Sequence, residues 1–213
     1  MKARVITILD NPQSIESADR CIKSGAKWGV TVEKFRAITP ADNPIMYAKK
    51  KGIPTENFVE KYSRFENCVS AFLSHHSLWE MCAKGDEEYL ILEHDAIFTD
   101  MVRENMPYTM VVNLGKPSYG KANRPPLGLG PLISKPYFPG AHAYIVNPRG
   151  AKALIERATV DAGPTDIFLH INVFPWLQEV YPWPIEARDT FTTIQKTEGC
   201  LAKHNYNDQY KII

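Results

Sequence analysis

The stretch Tyr89-Leu90-Ile91-Leu92-Glu93-His94-Asp95-Ala96 decides the fold. A short apolar run, set off from the preceding helical pattern by Gly85-Asp86, reads as a buried strand. Its C-terminal end carries two carboxylates and an imidazole. In open α/β sheets, ligands bind beyond the carboxyl ends of the strands, which makes this end a candidate site. Residues i and i+2 of an extended chain share a face, so Glu93 and Asp95 are placed to converge on one cation. A hard ion such as Mg²⁺ or Mn²⁺ takes one or two carboxylates together with a substrate's phosphates. The plain alternative is a polar strand end facing solvent.

The neighbouring segments extend this strand into an α/β pattern. On its N-terminal side, residues 56–84 form the longest helical stretch, broken once at most. Phe65, Val69, Phe72, His76 and Trp79 draw one apolar stripe along it. At the start of the chain, Val5–Leu9 reads as a strand closed by Asp10-Asn11-Pro12. Ser14 is placed to cap a helix running to about Gly25, and Val30–Ile38 reads as a second strand, completing a βαβ unit. Thr109–Leu114 and Ala143–Val146 are further strands. A helix opens at Asn147-Pro148, with Ala151, Leu154, Ile155 and Ala158 on one face. Another helical segment starts at Gly163-Pro164-Thr165-Asp166 and runs to about Val173. The pattern predicts one α/β domain over residues 1–213. Its sheet is mixed and mostly parallel, with helices on both faces.

Composition narrows the partners. The 213 residues carry 25 Lys plus Arg against 24 Asp plus Glu, a net charge of +1. A general nucleic-acid binder would show a basic excess, so nucleic acid is not the expected partner. No stretch approaches the roughly 18 apolar residues of a membrane span, so no transmembrane segment is expected. The opening Met1-Lys2-Ala3-Arg4-Val5-Ile6 lacks a long apolar run after its charges and reads as a strand, not a signal peptide. Cys21, Cys68, Cys82 and Cys200 form no C-x-x-C pair. They read as buried small hydrophobes of a reducing compartment, and the expected location is cytoplasmic. Proline is the unusual component: half of its 16 residues fall between positions 107 and 148. Regular structure is not expected across most of that segment, and residues 115–139 read as an irregular loop bearing Tyr119, Tyr137 and Phe138.

Several of these segments, in order, resemble glycosyltransferase family 25, the lipopolysaccharide and collagen β-galactosyltransferase group. CVSAFLSHHSLW, residues 68–79, is similar to the family's L-S-H-x-x-x-W helix through Leu73, Ser74, His75 and Trp79. Ile91–Ala96 resembles its I-L-E-D-D-A segment. GAHAYIVNPRGA, residues 140–151, resembles G-x-x-A-Y-I-x-x-x-G-A, and Pro164-Thr165-Asp166 resembles P-V-D. Pro182 and Gln195 fall where the family's closing segment runs.

The resemblance implies a GT-A-like nucleotide-diphospho-sugar transferase fold with a divalent metal, Mn²⁺ or Mg²⁺. It implies inverting transfer of a hexose, most often galactose, from a UDP-sugar to a glycan or other hydroxyl acceptor. Under it, Asp95 is a direct metal ligand, Glu93 orients the metal site, and His204 in the polar tail is a further ligand. Asp166 is the base that takes the acceptor proton, with a helix cap as its structural alternative. His94, Asp10, Asn11 and Arg20 are expected on the donor side, and His142 and Tyr119 on the acceptor side. His94 stands where the family has Asp. That departure motivates a rival reading as a non-catalytic nucleotide-sugar or glycan-binding protein. A nucleotidyltransferase using the same carboxylate pair is a second rival.

Overall fold

In a computed structural model of the chain, residues 1–59, 63–103, 105–188, 191–195 and 211–212 are described. The first half is built from β1 (Lys2–Thr7), α1 (Pro12–Ala26), β2 (Val32–Arg36), α2 (Pro44–Lys50), α3 (Phe65–Lys84), β3 (Tyr89–Glu93) and β4 (Ala96–Phe98). β5 (Val111–Asn113), β6 (Gly128–Pro131), β7 (Ala143–Val146), α4 (Pro148–Ala158) and α5 (Thr165–Phe168) follow. The short strands β8 (Gln178–Tyr181), β9 (Ile185–Ala187), β10 (Phe191–Thr192) and β11 (Lys211–Ile212) come last.

Seven strands form one sheet in the order β2-β1-β3-β7-β5-β8-β6. β1 pairs in parallel with β2 and β3, and β5 pairs in parallel with β8. β7 runs antiparallel to both β3 and β5, and β6 antiparallel to β8. The sheet is therefore mixed, with β6 and β7 reversed against the other five. β4 and β9 form a separate antiparallel pair.

Alternation along the strands divides the core between two faces. Tyr89 and Ile91 of β3, with Tyr144 and Val146 of β7, face α3 and α4 together with Phe72, Trp79 and Leu154. Leu90 and Leu92, with Ala143 and Ile145, face the other way, toward Ala18 and Cys21 of α1 and Ala96 and Phe98 of β4. Period-two alternation on a sheet covered on both faces makes the central strands continuously apolar. No helix among the described residues is long and apolar enough to cross a membrane.

Three local expectations change. The cap of α1 is Asn11, not Ser14: its side-chain oxygen accepts the N–H groups of Gln13 and Ser14 at 3.0 and 3.1 Å. Pro12, with no N–H to lose, occupies the first turn. The helix expected to reach Val173 stops at Phe168, because His170 bridges to Tyr137 and the Ile171 N–H donates to Pro136 O at 2.8 Å. The segment 115–139 is not wholly irregular. It holds β6, an edge strand, where Pro131 removes no donor that a second neighbour needs.

Candidate functional site

The carboxyl ends of β1, β2 and β3 open into a cavity of about 290 Å³. Ile6, Ile8 and Ala37–Pro40 form its wall at the β1 and β2 ends. α3 contributes Asn67, Ser70, Ser74 and His75, and the end of β3 contributes Glu93, His94 and Asp95. Ser118, Tyr119, His142, Thr165 and Asp166 close the opposite side. Residues 191–195 lie across it, held by the first turn of α3. The Arg64 guanidinium and the Asn67 amide both donate to Thr193 O, at 2.7 and 2.8 Å, and the Arg64 N–H donates to Ile194 O.

Asp166 sits in the first turn of α5, recessed in the cavity. It is not the helix cap, a position held by Pro164. Its Oδ2 accepts the Tyr119 hydroxyl at 2.5 Å, and its Oδ1 accepts the Ile167 N–H at 2.9 Å. Burial raises the Asp166 pKa above the ordinary carboxylate range. The Tyr119 and Ile167 donors oppose the shift, and the charge of Glu93 adds to it. Burial, followed by the Asp166 charge and hydrogen bond, raises Tyr119 in turn. The hydroxyl therefore stays protonated and donates.

His142 is buried, and among the described residues neither ring nitrogen has a partner at full hydrogen-bond geometry. Burial lowers its pKa to about 4, against the opposing pull of Glu93, the Ile185 backbone and Glu186, so the ring is neutral near pH 7. Glycines hold the ring in place. A Cβ on Gly115 would lie 2.6 Å from His142 Nε2, and one on Gly140 would lie 3.2 Å from Nδ1. The hydroxyls of Ser70 and Thr165 are likewise buried without a hydrogen-bond partner among the described residues, and both residues line the cavity. An unsatisfied buried polar group costs about 1–3 kcal/mol, so several around one cavity mark a place that binds polar groups.

His94 lines the cavity but is engaged by protein. Its Nδ1 lies 2.9 Å from Ser14 Oγ, and its ring stacks on Phe191 with centroids 5.3 Å apart. Ser14 Oγ also accepts the Ile8 N–H at 2.9 Å, so His94 ties the end of β3 to β1 and α1. Glu93 and Asp95 both line the cavity, though not by the extended-strand geometry expected: β3 ends at Glu93, and residues 94–95 form a turn. Asp10, Asn11 and Arg20 are not among the cavity-lining residues. The Asn11 side chain caps α1, Arg20 donates to Ser17 Oγ at 2.8 Å, and Asp10 is exposed. His204 lies outside the described residues.

Among the described residues, no three His, Cys, Asp or Glu side chains gather in a way that could hold a metal ion. Sequence reasoning missed Ser70 and Thr165 as cavity groups. The available signal for Ser70 was a small polar residue one turn before Ser74 on the same helix.

Residues 18–121 match the family model described as Glycosyltransferase family 25 (LPS biosynthesis protein). The matched span contains α3 and the Ile91–Ala96 segment and ends before His142 and Asp166. No curated protein matches the chain. By its description, family 25 is a family of glycosyltransferases.

Proposed function

We propose that this chain, whose residues 18–121 carry the family 25 match, is an inverting hexosyltransferase of GT-A-like architecture. Its donor is a UDP-sugar, UDP-galactose first among them, and its acceptor is a hydroxyl of a glycan or similar molecule. The observation that carries the reading is one cavity at the strand ends. It brings the carboxylates Glu93, Asp95 and Asp166 together with hydrogen-bonding groups on Ser70, His142 and Thr165 that have no partner among the described residues. A polyhydroxylated ligand satisfies such groups, whereas an apolar ligand leaves them unpaired.

Asp166 is the proposed base. Its raised pKa makes the ionised carboxylate a better proton acceptor than an ordinary aspartate. The Tyr119 hydroxyl fixes one carboxylate oxygen, and each oxygen keeps a further lone pair for an acceptor hydroxyl. The acceptor oxygen forms its bond to the anomeric carbon as the bond to the nucleoside diphosphate breaks, and its proton passes to Asp166. Neutral His142 both donates and accepts, and so is suited to a sugar hydroxyl.

The test is UDP release from UDP-galactose, UDP-glucose and UDP-N-acetylglucosamine, with Mn²⁺ supplied throughout. The expected result is slow hydrolysis of one donor, reduced about 10²–10⁴-fold in Asp166→Asn. Turnover equal to wild type in that variant would remove Asp166 from the role of base. His94 gives a second reading its footing. Where the family pattern has a carboxylate, this side chain is tied to Ser14 and Phe191. A non-catalytic sugar-nucleotide or glycan-binding protein would bind a donor in the same assay without turnover.

A further inference from the structure

Beneath the cavity, four side chains from three elements form a continuous polar chain. The Trp79 Nε1–H donates to the Tyr144 hydroxyl oxygen at 2.8 Å. That hydroxyl lies 2.9 Å from His75 Nδ1, and His75 Nε2 lies 3.2 Å from Glu93 Oε1. Trp79 and Tyr144 have no exposure, and His75 is 1% exposed. Glu93 is partly exposed and faces the cavity. The fold explains the alignment. His75 and Trp79 are one turn apart on α3, and Tyr144 pairs in register with Ile91, two residues before Glu93 on the same face of β3.

The direction of the chain follows from its two ends. An indole N–H only donates, and an ionised carboxylate only accepts. The Tyr144 oxygen takes the indole hydrogen, which leaves its own proton to be placed. The hydroxyl is fully buried, and His75 Nδ1 is the acceptor beside it. A neutral ring that accepts at Nδ1 carries its hydrogen at Nε2, facing Glu93. The other tautomer would strand the Tyr144 proton and set the Nε2 lone pair against the carboxylate.

We propose that Trp79, Tyr144 and His75 act as a one-way positioning chain. It fixes His75 as the Nε2–H tautomer and thereby aims the Glu93 carboxylate, as a hydroxyl acceptor for the donor's hexose. The positioning role rests on the transferase reading given above; the tautomer does not. Glu93 is the residue through which the chain acts. Its charge also reaches His142 and Asp166 across the cavity, so its placement bears on both.

Long-range proton–nitrogen NMR of the ¹⁵N-labelled full chain near pH 7 tests the tautomer. The expected spectrum shows His75 protonated at Nε2 alone, and Tyr144→Phe loses that preference. An Nδ1–H or doubly protonated His75 in the wild type would overturn the chain. UDP release then tests its purpose. In His75→Leu the KM for the donor rises about tenfold or more, and His75→Gln, whose amide replaces the Nε2 donor, recovers most of that loss. Melting curves identify variants that fail to fold. Equal KM values for the two folded variants would overturn the positioning role. The expected tautomer in a protein that turns over no donor would support the chain and sink the transferase reading. The wrong tautomer in an active enzyme would do the reverse.

Discussion

Asp166 and Tyr119 show how two ordinary side chains are set against each other. The carboxylate is pushed toward its neutral form by burial and by Glu93, while the tyrosine hydroxyl pulls it back toward the ionised form. Removing the hydroxyl removes the pull, so Tyr119→Phe raises the Asp166 pKa further. A base works only when deprotonated. The acid limb of the kcat/KM profile for UDP release therefore moves to higher pH in Tyr119→Phe, with activity lost earlier as the solution is acidified. An acid limb that stays in place or moves down would separate Tyr119 from the base. His142 belongs at this scale as well. Its acceptor-side placement followed a resemblance, but its lack of partners arises from tertiary packing between Gly115 and Gly140, which no local pattern encodes.

α3 carries both stability and site. Its apolar stripe packs Phe72 and Trp79 into an aromatic cluster with Phe58 and Phe168, while Ser70, Ser74 and His75 face the cavity. His76 lies in the cluster, between Phe72 and Trp79, and its Nδ1 is buried with no partner among the described residues. Burial lowers its pKa to about 4, as it does for His142. A depressed histidine costs nothing while both folded and unfolded states are neutral. As pH falls below the unfolded value near 6.5, the unfolded chain takes up the proton first, and stability declines until about pH 4. Each group can contribute up to about 3 kcal/mol to that decline. His76→Leu, close in volume and without the orphaned nitrogen, is expected to hold or raise stability at pH 7 and to lessen the acid loss. Urea midpoints at pH 7 and pH 5 check this, and a loss above about 1 kcal/mol at pH 7 would mean the ring has a partner.

The same helix shows what a single sequence makes legible. Its period, the β1-α1-β2 unit and β3 follow from local apolar patterns, and all are present. The boundary errors have local causes: Asn11 outcompetes Ser14 as a cap because Pro12 fits the first turn behind it. β4, β8 and β9, each only three or four residues long, form because partners distant in sequence supply their hydrogen bonds. α5 ends early because the Pro-rich segment takes over the pairing of residues 170–171.

At the scale of the whole molecule, a near-neutral chain has gathered its acidic groups locally. Glu93, Asp95 and Asp166 come from opposite sides of one cavity, carried by β3, the turn after it and α5. The sequence located the two strand-end carboxylates and Asp166 separately; only the sheet order, which seats β7 beside β3 and brings His142 against Glu93, makes them one site. Asp10, Asn11 and Arg20 lie near that edge in sequence, but capping and the helix surface hold them outside the cavity. In the proposed reaction this cavity transfers a hexose by direct displacement, with Asp166 as base. Real-time proton NMR of UDP-α-galactose incubated with the full chain tests it most directly, because the first free sugar records the geometry of attack. The account predicts β-galactose as the first product and its loss in Asp166→Asn. α-Galactose appearing first, or an undiminished rate in that variant, would contradict it.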